Sequence, residues 1–468
     1  MNTKYILLLV FLFSYVLMPA EIKVASILGD NMVLQRNTEV KLWGRAKSGE
    51  ELTVKVSWQR AKIKTVCNEK GEWLVQVKTV DAGGPYSILI ASQKEKVILK
   101  NILLGEVWIC SGQSNMEFPI TGYGDTPMNG STEILIHADN NNIRLFNLKR
   151  AVAGTPQENC AGNWAVASSE NVGSFSAIGY LYAKQLQQKL NVPVGIIHTS
   201  WGGSSIEAWM SKETLYNFPD ALRQTTQDNT PQHQRATNLY NGMIAPIVNF
   251  TIKGAIWYQG ESNLRNYKEY ARLMASMVAS WRKDFGVGEF PFYYVQIAPF
   301  SYTGFNSALM RDEQLKAMSI IPNSGMASTI DIGEEKCIHP AEKMIVANRL
   351  SYWAFSETYK IKGIPYQSPT CKSISVKDSI ATITFENKSL GICNFGKEID
   401  CFEIAGSDSV FYPAKMFIFQ KQAKVWSSKV KVPIAVRYAF SNFPKTNGFL
   451  YNIAGIPVPS FRTDNWIK

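Results

Sequence analysis

The segment Trp108-Ile-Cys-Ser-Gly-Gln-Ser-Asn-Met116 carries an apolar run into a short polar loop. Such a run is typical of a buried β-strand, and the loop begins where the strand ends. Other apolar runs end in the same way, before a polar or glycine-containing loop: 194–199, 253–258, 292–297 and 326–330. Helical periodicity lies between the runs, as at Tyr270, Met274, Met277 and Trp281. Strands that alternate with helices predict an α/β fold with a doubly wound parallel sheet and a functional site at the carboxyl ends of the strands.

Two β-rich regions flank this α/β body. Apolar and polar residues alternate around 52–58, 73–77 and 86–90, which predicts antiparallel strands of a small sandwich, with a hairpin turn at 68–71. From about 361 the chain returns to short strands, and we expect its end at 449–461 to pack back on the body. The 468 residues suggest about three domains at roughly 150 residues each. We divide them into an N-terminal β-sandwich at 21–103, an α/β domain at 104–360 and a C-terminal β-rich region at 361–468.

Composition and charge exclude several classes of protein. With 46% hydrophobic and 19% charged residues the chain is globular, which excludes disorder, collagen and coiled coil for its bulk. The net charge of +11 comes from dispersed residues without a basic stripe, so nucleic-acid binding is not indicated. An acidic substrate is compatible with this charge.

The N-terminus and the cysteines indicate the compartment. Lys4, an apolar run at 6–18 and Ala20 predict a secretory signal at 1–20, hence a secreted or periplasmic protein without a membrane span after cleavage. A retained N-terminal anchor is the alternative. The seven cysteines contain no Cys-x-x-Cys pair, so no thiolate metal site is expected. Cys393 and Cys401 are the closest pair in sequence, but we expect mostly buried free thiols.

Ser114 is the candidate nucleophile, because a serine just past a parallel strand is lifted out of the sheet by its loop. Met116 replaces the second glycine of a Gly-x-Ser-x-Gly elbow, so this is not an α/β-hydrolase nucleophile motif. The alternative is a serine that caps the next helix.

A serine nucleophile needs a base, and the chain has four histidines. His137 lies in an apolar stretch and His233 in a polar loop, which favours structural and solvated positions. His198 is at a strand end and is expected to act through a neighbour rather than directly. His339 lies in the loop between the last parallel strand and a helix, where it could face Ser114, and Asp331 at the end of that strand could orient its ring.

Two further loops could stabilise an oxyanion. Trp201-Gly-Gly-Ser-Ser205 offers backbone N–H groups at Gly202 and Gly203, and Trp257-Tyr-Gln-Gly-Glu-Ser-Asn263 offers the side-chain amides of Gln259 and Asn263. Either loop alone is as easily a glycine-rich turn. Polar loops after several parallel strands, with the Asp–His loop after the last, favour a hydrolytic site.

Together these segments resemble the sialate O-acetylesterase family of the SGNH/GDSL hydrolase superfamily over nearly the whole mature chain. The resemblance rests on an ordered set of motifs: Gly-Gln-Ser-Asn-Met at 112–116, the glycine loop at 193–209, Trp-Tyr-Gln-Gly-Glu-Ser-Asn at 257–263, and Asp331-Ile-Gly with Ile338-His-Pro340. It implies a flavodoxin-like parallel sheet and a serine esterase that removes O-acetyl groups from sialic acids or other acetylated glycans, without metal or cofactor. By this resemblance Ser114 attacks, His339 accepts its proton, and the oxyanion is held by the Ser114 N–H, Gly202 or Gly203, and a side-chain amide.

The chain departs from the superfamily pattern at two places. Lys336 stands three residues before His339, where many SGNH enzymes carry Asp, so Asp331 completes a triad or the site works as a Ser–His dyad. The third motif lacks the common Gly-x-Asn-Asp ending, which leaves Gln259 or Asn263 as the amide donor, with Gln259 favoured. Glu261 is expected to organise hydrogen bonds rather than to act as an acid.

The sugar contacts and the substrate remain open at this stage. Candidate contacts with the sugar are Asn115, Trp201, Trp209 and Arg311. A second enzymatic interpretation is an acetyl-xylan or other polysaccharide acetylesterase of the same superfamily. A third is a non-catalytic carbohydrate-binding protein, since the chain has two β regions and 12 tryptophans.

Overall fold

The structure, a computed structural model, describes residues 21–225, 229–387 and 391–466, so the predicted signal at 1–20 lies outside the described residues. The strands are β1 Lys23–Val24, β2 Val33–Gln35, β3 Glu39–Arg45, β4 Glu51–Val56, β5 Lys62–Val66, β6 Glu72–Lys78, β7 Gly83–Ala91, β8 Lys96–Gly112, β9 Asn140–Asn147, β10 Trp164–Ala167, β11 Val194–Ser200, β12 Gly254–Tyr258, β13 Phe292–Val295, β14 Ser324–Ala327, β15 Thr370–Lys377, β16 Ile380–Glu386, β17 Ile392–Cys393, β18 Phe402–Ala405, β19 Phe411–Phe419, β20 Gln422–Trp426, β21 Ala435–Tyr438, β22 Tyr451–Asn452 and β23 Phe461–Arg462.

The α-helices are α1 Ser114–Glu117, α2 Ser131–Ile136, α3 Ser169–Val172, α4 Ala177–Leu190, α5 Lys212–Leu215, α6 Pro219–Thr225, α7 Tyr270–Phe285, α8 Ser307–Ile320 and α9 Lys343–Trp353. Short 3-10 segments cover Ile206–Trp209, Gln232–Gln234, Ala245–Ile247 and Glu261–Glu269, and π-helical turns cover Tyr240–Ile244 and Ala354–Thr358. No helix in the described ranges is long and apolar enough to span a membrane.

The centre of the molecule is a mostly parallel sheet in the order β10-β9-β11-β8-β12-β13-β14, in which only β10 runs antiparallel to its neighbour. The five predicted runs all form strands of this sheet, whereas β9 begins with three asparagines and was not anticipated. In the register of the sheet, Gly112 of β8 lies beside Ser200 of β11 and Tyr258 of β12. The loops that follow these three strands therefore start side by side at one edge.

Helices cover both faces of this sheet, so its strands are buried on both sides and consist of nearly continuous apolar residues. Along β12, Ala255 and Trp257 belong to the core that contains α7, while Ile256 and Tyr258 belong to the core that contains α4 and α9. The predicted helical stripe at Tyr270, Met274, Met277 and Trp281 is confirmed, because all four side chains lie on α7 and are fully buried.

The N-terminal region forms two sheets. One has the order β1-β3-β6, and the other pairs β4 with β5 and β7, and β7 with the first half of β8. The turn at 68–71 is tight but is not a hairpin, because it leads from β5 in one sheet to β6 in the other. Since β8 continues without a break into the central sheet, the boundary we expected at 103/104 falls inside one strand.

The C-terminal strands form a sheet in the order β15-β16-β20-β19-β18-β21-β23. The chain end returns to the α/β body, where Ser460 Oγ accepts from Arg311 Nε of α8 at 3.2 Å. Helix α9 begins at Lys343, and ahead of it the Ala341 N–H donates to Glu334 Oε1 at 2.8 Å. All seven cysteines are free, with Cys67 and Cys110 buried and the others partly buried.

Candidate active site

Ser114 and His339 meet at the carboxyl edge of the central sheet. Ser114 opens α1 directly after β8, and its Oγ lies 2.8 Å from Nε2 of His339, in the loop between β14 and α9. Gly112 makes the turn between strand and nucleophile with φ of 136°, and a Cβ there would lie 2.1 Å from the carbonyl oxygen of Tyr258. Only glycine fits so close to the Tyr258 backbone, so this packing requires a glycine at position 112.

The environment of His339 keeps its imidazole neutral. The ring packs edge-on against Tyr123, with centroids 5.2 Å apart, and lies 6.3 Å from the ring of Phe118. Burial and, to a smaller extent, the positive charge of Lys343 together lower the pKa of His339 to about 4. An imidazole that is neutral near pH 7 can accept the hydroxyl proton of Ser114 at Nε2.

The structure does not bring Asp331 to His339. Both carboxylate oxygens of Asp331 accept from the guanidinium of Arg349, at 2.8 and 2.7 Å, in a pair whose side chains are 8% and 9% exposed. Within the described ranges no carboxylate hydrogen-bonds to Nδ1 of His339. The residue three positions before His339, where many SGNH enzymes carry Asp, is Lys336. The arrangement is that of a Ser–His pair.

The glycine loop after β11 lies against the nucleophile. A Cβ on Gly202 would lie 3.3 Å from Cβ of Ser114, so this backbone forms the wall of the site. The Gly202 N–H, however, donates to Oε2 of Glu117 at 2.8 Å, and Arg150 donates to the other oxygen of that carboxylate from Nε at 2.7 Å and from Nη2. Gly203 has φ of 74°, and its Cβ would face the ring of His233 at 3.6 Å.

The side-chain amides of Gln259 and Asn263 are engaged elsewhere. Gln259 Nε2 donates to Ser204 O at 3.1 Å and to Asn263 Oδ1 at 2.8 Å. Asn263 Nδ2 donates to both carboxylate oxygens of Glu207, which is fully buried. Their donors therefore satisfy a buried carboxylate and a backbone carbonyl rather than pointing at Ser114, because a buried carboxylate without donors is costly.

Two of the four residues expected to touch the sugar lie in the core. Trp209 is fully buried and donates from Nε1 to Ser204 Oγ at 2.9 Å. Arg311 is fully buried and donates to Ser307, Ser441 and Ser460. For these two the expectation of a sugar contact is corrected: a helical or loop position in the sequence does not reveal that its side chain faces inward.

The other two expected contacts lie near the nucleophile in different environments. Asn115 is fully buried, and its amide bonds to Lys343, Glu261 and the carbonyl of Ile338, so the expectation of a sugar contact is corrected for this residue as well. Trp201 is half-buried, with the ring of His233 stacked on it at 5.2 Å and the guanidinium carbon of Arg150 5.3 Å from its centroid. Trp201 is thus a partly exposed residue next to Gly202, and Asn115 is a buried residue next to Ser114.

Sequence reasoning missed three residues that lie beside the glycine loop at 201–205: Glu117, Arg150 and His233. Glu117 is the last residue of α1 and accepts from the Gly202 N–H, but a single Glu carries no distinctive sequence pattern. Arg150 lies in a loop after β9, which was not predicted. His233 was assigned to a solvated loop; in the structure it stacks on Trp201, and burial followed by the charge of Arg150 lowers its pKa.

Among the described residues, His198 and His137 form no hydrogen bond with Ser114. Burial lowers the pKa of His198 to about 3, and its ring bonds to Asn147 at 2.8 Å and to Ser200. His137 is exposed beside Glu133. In the part of the chain that the structure describes, no three His, Cys, Asp or Glu side chains come together to hold a metal ion.

Comparison with known proteins identifies the family. The family model described as carbohydrate esterase, sialic acid-specific acetylesterase, matches residues 104–346, which is more than half of the chain. The chain belongs to this family. It is therefore a carboxylic ester hydrolase, and the start of the match coincides with the second half of β8, from which the nucleophile loop leads.

Relatives that match over more than nine-tenths of their own length are sialate O-acetylesterases. The sialate O-acetylesterase of Rattus norvegicus is 27% identical over 93% of each chain, and that of Homo sapiens is 27% identical over 93% of this chain and 91% of its own. A crystal structure of a carbohydrate acetylesterase from Xanthomonas citri superposes with a TM-score of 0.87 at 33% identity and covers 95% of this chain and all of that one. The β-rich regions on either side of the α/β body are thus part of the shared architecture.

Proposed function

We propose that this esterase removes O-acetyl groups from sialic acids by a Ser114–His339 acyl-enzyme mechanism. The observation that carries the proposal is the 2.8 Å contact between Ser114 Oγ and Nε2 of His339, two residues that lie 225 positions apart in sequence. A hydroxyl this close to a neutral imidazole can lose its proton as it attacks an ester carbonyl.

In the proposed acylation, Ser114 Oγ attacks the acetyl carbonyl while His339 Nε2 takes the hydroxyl proton. When the tetrahedral intermediate collapses, His339 gives this proton to the sugar oxygen that leaves. The acetyl group stays on Ser114 as an ester. A water activated by His339 then attacks this ester, acetate is released, and Ser114 recovers its proton.

The negative charge on the carbonyl oxygen requires donors, each worth about 3–4 kcal/mol when removed. The Ser114 N–H has no hydrogen-bond partner among the described residues and is one candidate. The Gly202 N–H is the second, provided that the acetyl oxygen replaces the Glu117 carboxylate that accepts from it in the free enzyme. Gly203 remains the alternative from the same loop. The amides of Gln259 and Asn263 are assigned to holding that loop through Ser204 and Glu207.

The sialic acid assignment is supported by the family and by relatives named sialate O-acetylesterase. Arg150 adds a physical argument, since its side chain is 47% exposed beside the site and could receive the carboxylate of this sugar. The second candidate is acetylesterase activity on neutral polysaccharides, favoured by the Xanthomonas citri protein, which is described as a carbohydrate acetylesterase.

The mechanism is tested with Ser114→Ala. This variant is expected to lose acetate release from both an activated acetyl ester and an O-acetylated sialic acid, with an unchanged circular dichroism spectrum. Full activity of Ser114→Ala on the activated ester would overturn the mechanism. Rates of the wild-type enzyme on O-acetylated sialic acid and on acetylated xylan decide between the two substrate classes.

The finer architectural predictions belong to the same proposal. We propose an SGNH-type flavodoxin-like hydrolase domain at 104–360, an N-terminal β-sandwich at 21–103 and a C-terminal β-rich region at 361–468. The parallel order β9-β11-β8-β12-β13-β14 supports the first of these. Secretion or periplasmic export through residues 1–20 is tested by sequencing the N-terminus of the mature protein.

A further inference from the structure

The histidine of this site lacks the support that an acid would supply. Asp331 is held by Arg349, and Lys336 replaces the acid that would precede His339. The aromatic rings of Tyr123 and Phe118 pack on the imidazole but do not hydrogen-bond to it. A hydrogen bond that restrains the loop of His339 is instead found at its backbone, at the carbonyl of Ile338.

We propose that Asn115, held by Lys343 and Glu261, is the positioning residue that fixes the His339 loop against the nucleophile. Asn115 follows Ser114 in the chain, and its Nδ2 donates to the carbonyl oxygen of Ile338, the residue before His339, at 3.0 Å. One short side chain thus connects the two catalytic loops across 223 positions of sequence. The proposal rests on the Ser–His mechanism given above and adds to it.

The orientation of the Asn115 amide is determined by its partners. Its Nδ2 donates to Glu261 Oε1 at 2.7 Å as well as to Ile338 O, and its Oδ1 accepts from Lys343 Nζ at 2.6 Å. A lysine can only donate, while a carbonyl and a carboxylate can only accept. The reversed amide would therefore lose all three hydrogen bonds, so the group is locked in the orientation that holds Ile338.

The supporting charges are buried at a cost to stability. Lys343 is 1% exposed, and its Nζ lies 4.4 Å from the centroid of Phe118. Oε2 of Glu261 is buried without a hydrogen-bond partner among the described residues. Buried charges with incomplete partners weaken a fold, and apolar side chains would fill this space at lower cost. Both charged side chains bond to Asn115, which follows Ser114 in the chain and bonds to the residue before His339, and this favours a role in the reaction.

Lys343 also acts on His339 through its charge. Burial lowers the pKa of Lys343 to about 7, against the raising effects of Glu261, Cys337 and Glu334. In its charged form Lys343 disfavours the imidazolium, which adds to the effect of burial on His339. The network would therefore both hold the base in place and keep it unprotonated.

The decisive variant is Asn115→Asp, which keeps the shape but loses both donors to Ile338 and Glu261. We expect kcat on an activated acetyl ester to fall on the order of 10²-fold, because small misplacements of reacting groups have effects of this size, while KM changes by less than about threefold. The matched control is Asn452→Asp, a buried asparagine in the C-terminal region that bonds to Gln367, Ala454 and Ile456. The control is expected to lower the melting temperature and leave kcat within about threefold.

A kcat of Asn115→Asp within about threefold of the wild type overturns the proposal, as does an equal fall of kcat in both variants. If Asn115→Asp does not fold, Lys343→Met decides. In the pH profile of kcat/KM, the acid limb of Lys343→Met should lie at higher pH than that of the wild type, because the charge that lowers the pKa of His339 is gone. An unchanged acid limb argues against the network. Ser114→Ala is measured in parallel, and full activity of this variant would overturn the serine mechanism. If Ser114→Ala is inactive while Asn115→Asp keeps the wild-type kcat, only the positioning role is overturned.

Discussion

Replacing Asp331 by Asn separates a catalytic triad from a Ser–His pair. In a triad whose acid orients the histidine, loss of the carboxylate lowers kcat about 10⁴-fold. Here the Asp331 oxygens accept from Arg349 at 2.8 and 2.7 Å, and no hydrogen bond joins them to His339. We therefore expect Asp331→Asn to lower kcat less than tenfold.

The same substitution should lower stability by an amount that the ion pair determines. Both side chains are about nine-tenths buried, so solvent screens the pair little. The Asn amide can keep one oxygen on the guanidinium but loses one charge-assisted hydrogen bond, worth about 1.5–3 kcal/mol. Removing the carboxylate entirely, as in Asp331→Ala, leaves the buried Arg349 charge with only the Ser328 carbonyl oxygen as acceptor and should cost about 3–5 kcal/mol.

Initial rates of p-nitrophenyl acetate hydrolysis and urea unfolding curves measure the two effects separately. The chain offers a matched control in Asp464→Asn, because Asp464 forms an equivalent two-bond pair with Arg437 in the C-terminal region, at 2.9 and 2.8 Å. Both variants should lose stability by similar amounts and keep kcat within tenfold. A loss near 10⁴-fold confined to Asp331→Asn, with the unfolding midpoint unchanged, would refute the assignment of Asp331 to Arg349 and restore the triad.

Two other predictions concern the base and the substrate. Because the pKa of His339 is lowered to about 4 and the neutral form is the base, kcat/KM should be constant from neutral pH down to about pH 5 and fall below about pH 4; a limb near pH 6.5 in the pH–rate profile would contradict this environment. Arg150→Gln should lower kcat/KM on an O-acetylated sialic acid by roughly 10- to 100-fold, the value of a hydrogen bond between charged groups, and change hydrolysis of a neutral acetyl ester less than threefold. Equal losses on both substrates would mean that Arg150 acts by holding Glu117.

Ser114 and His339, the pair of the proposed reaction, were within reach of sequence reasoning because their signals are local and few. Ser114 stands where an apolar strand gives way to a glycine-containing loop, and with four histidines in the chain, elimination led to His339. The structure brings these two together at 2.8 Å. The same kind of reasoning could not find Arg150, since it follows the unpredicted strand β9, whose first residues are asparagines rather than apolar.

Residue type and position alone did not reveal where several polar and aromatic side chains point. Gln259 and Asn263 follow a parallel strand, as oxyanion donors do, yet Glu207 and Ser204 take their hydrogen bonds. Trp209 and Arg311 have the chemistry of sugar contacts but lie in the core.

The sequence by itself determined the strand-and-loop order, the edge of the sheet at which the loops meet, and the nucleophile and base of the proposed reaction. The order of strands and loops follows from apolar periodicity and from glycines whose backbone conformation other residues rarely adopt, which are properties of neighbours in the chain. The base follows by elimination among four histidines. Only the tertiary structure decided that Asp331 pairs with Arg349 and that Asn115 reaches the loop of His339. Such pairings depend on which buried donors and acceptors satisfy one another across long stretches of chain, and the cost of leaving any of them unpaired decides the outcome.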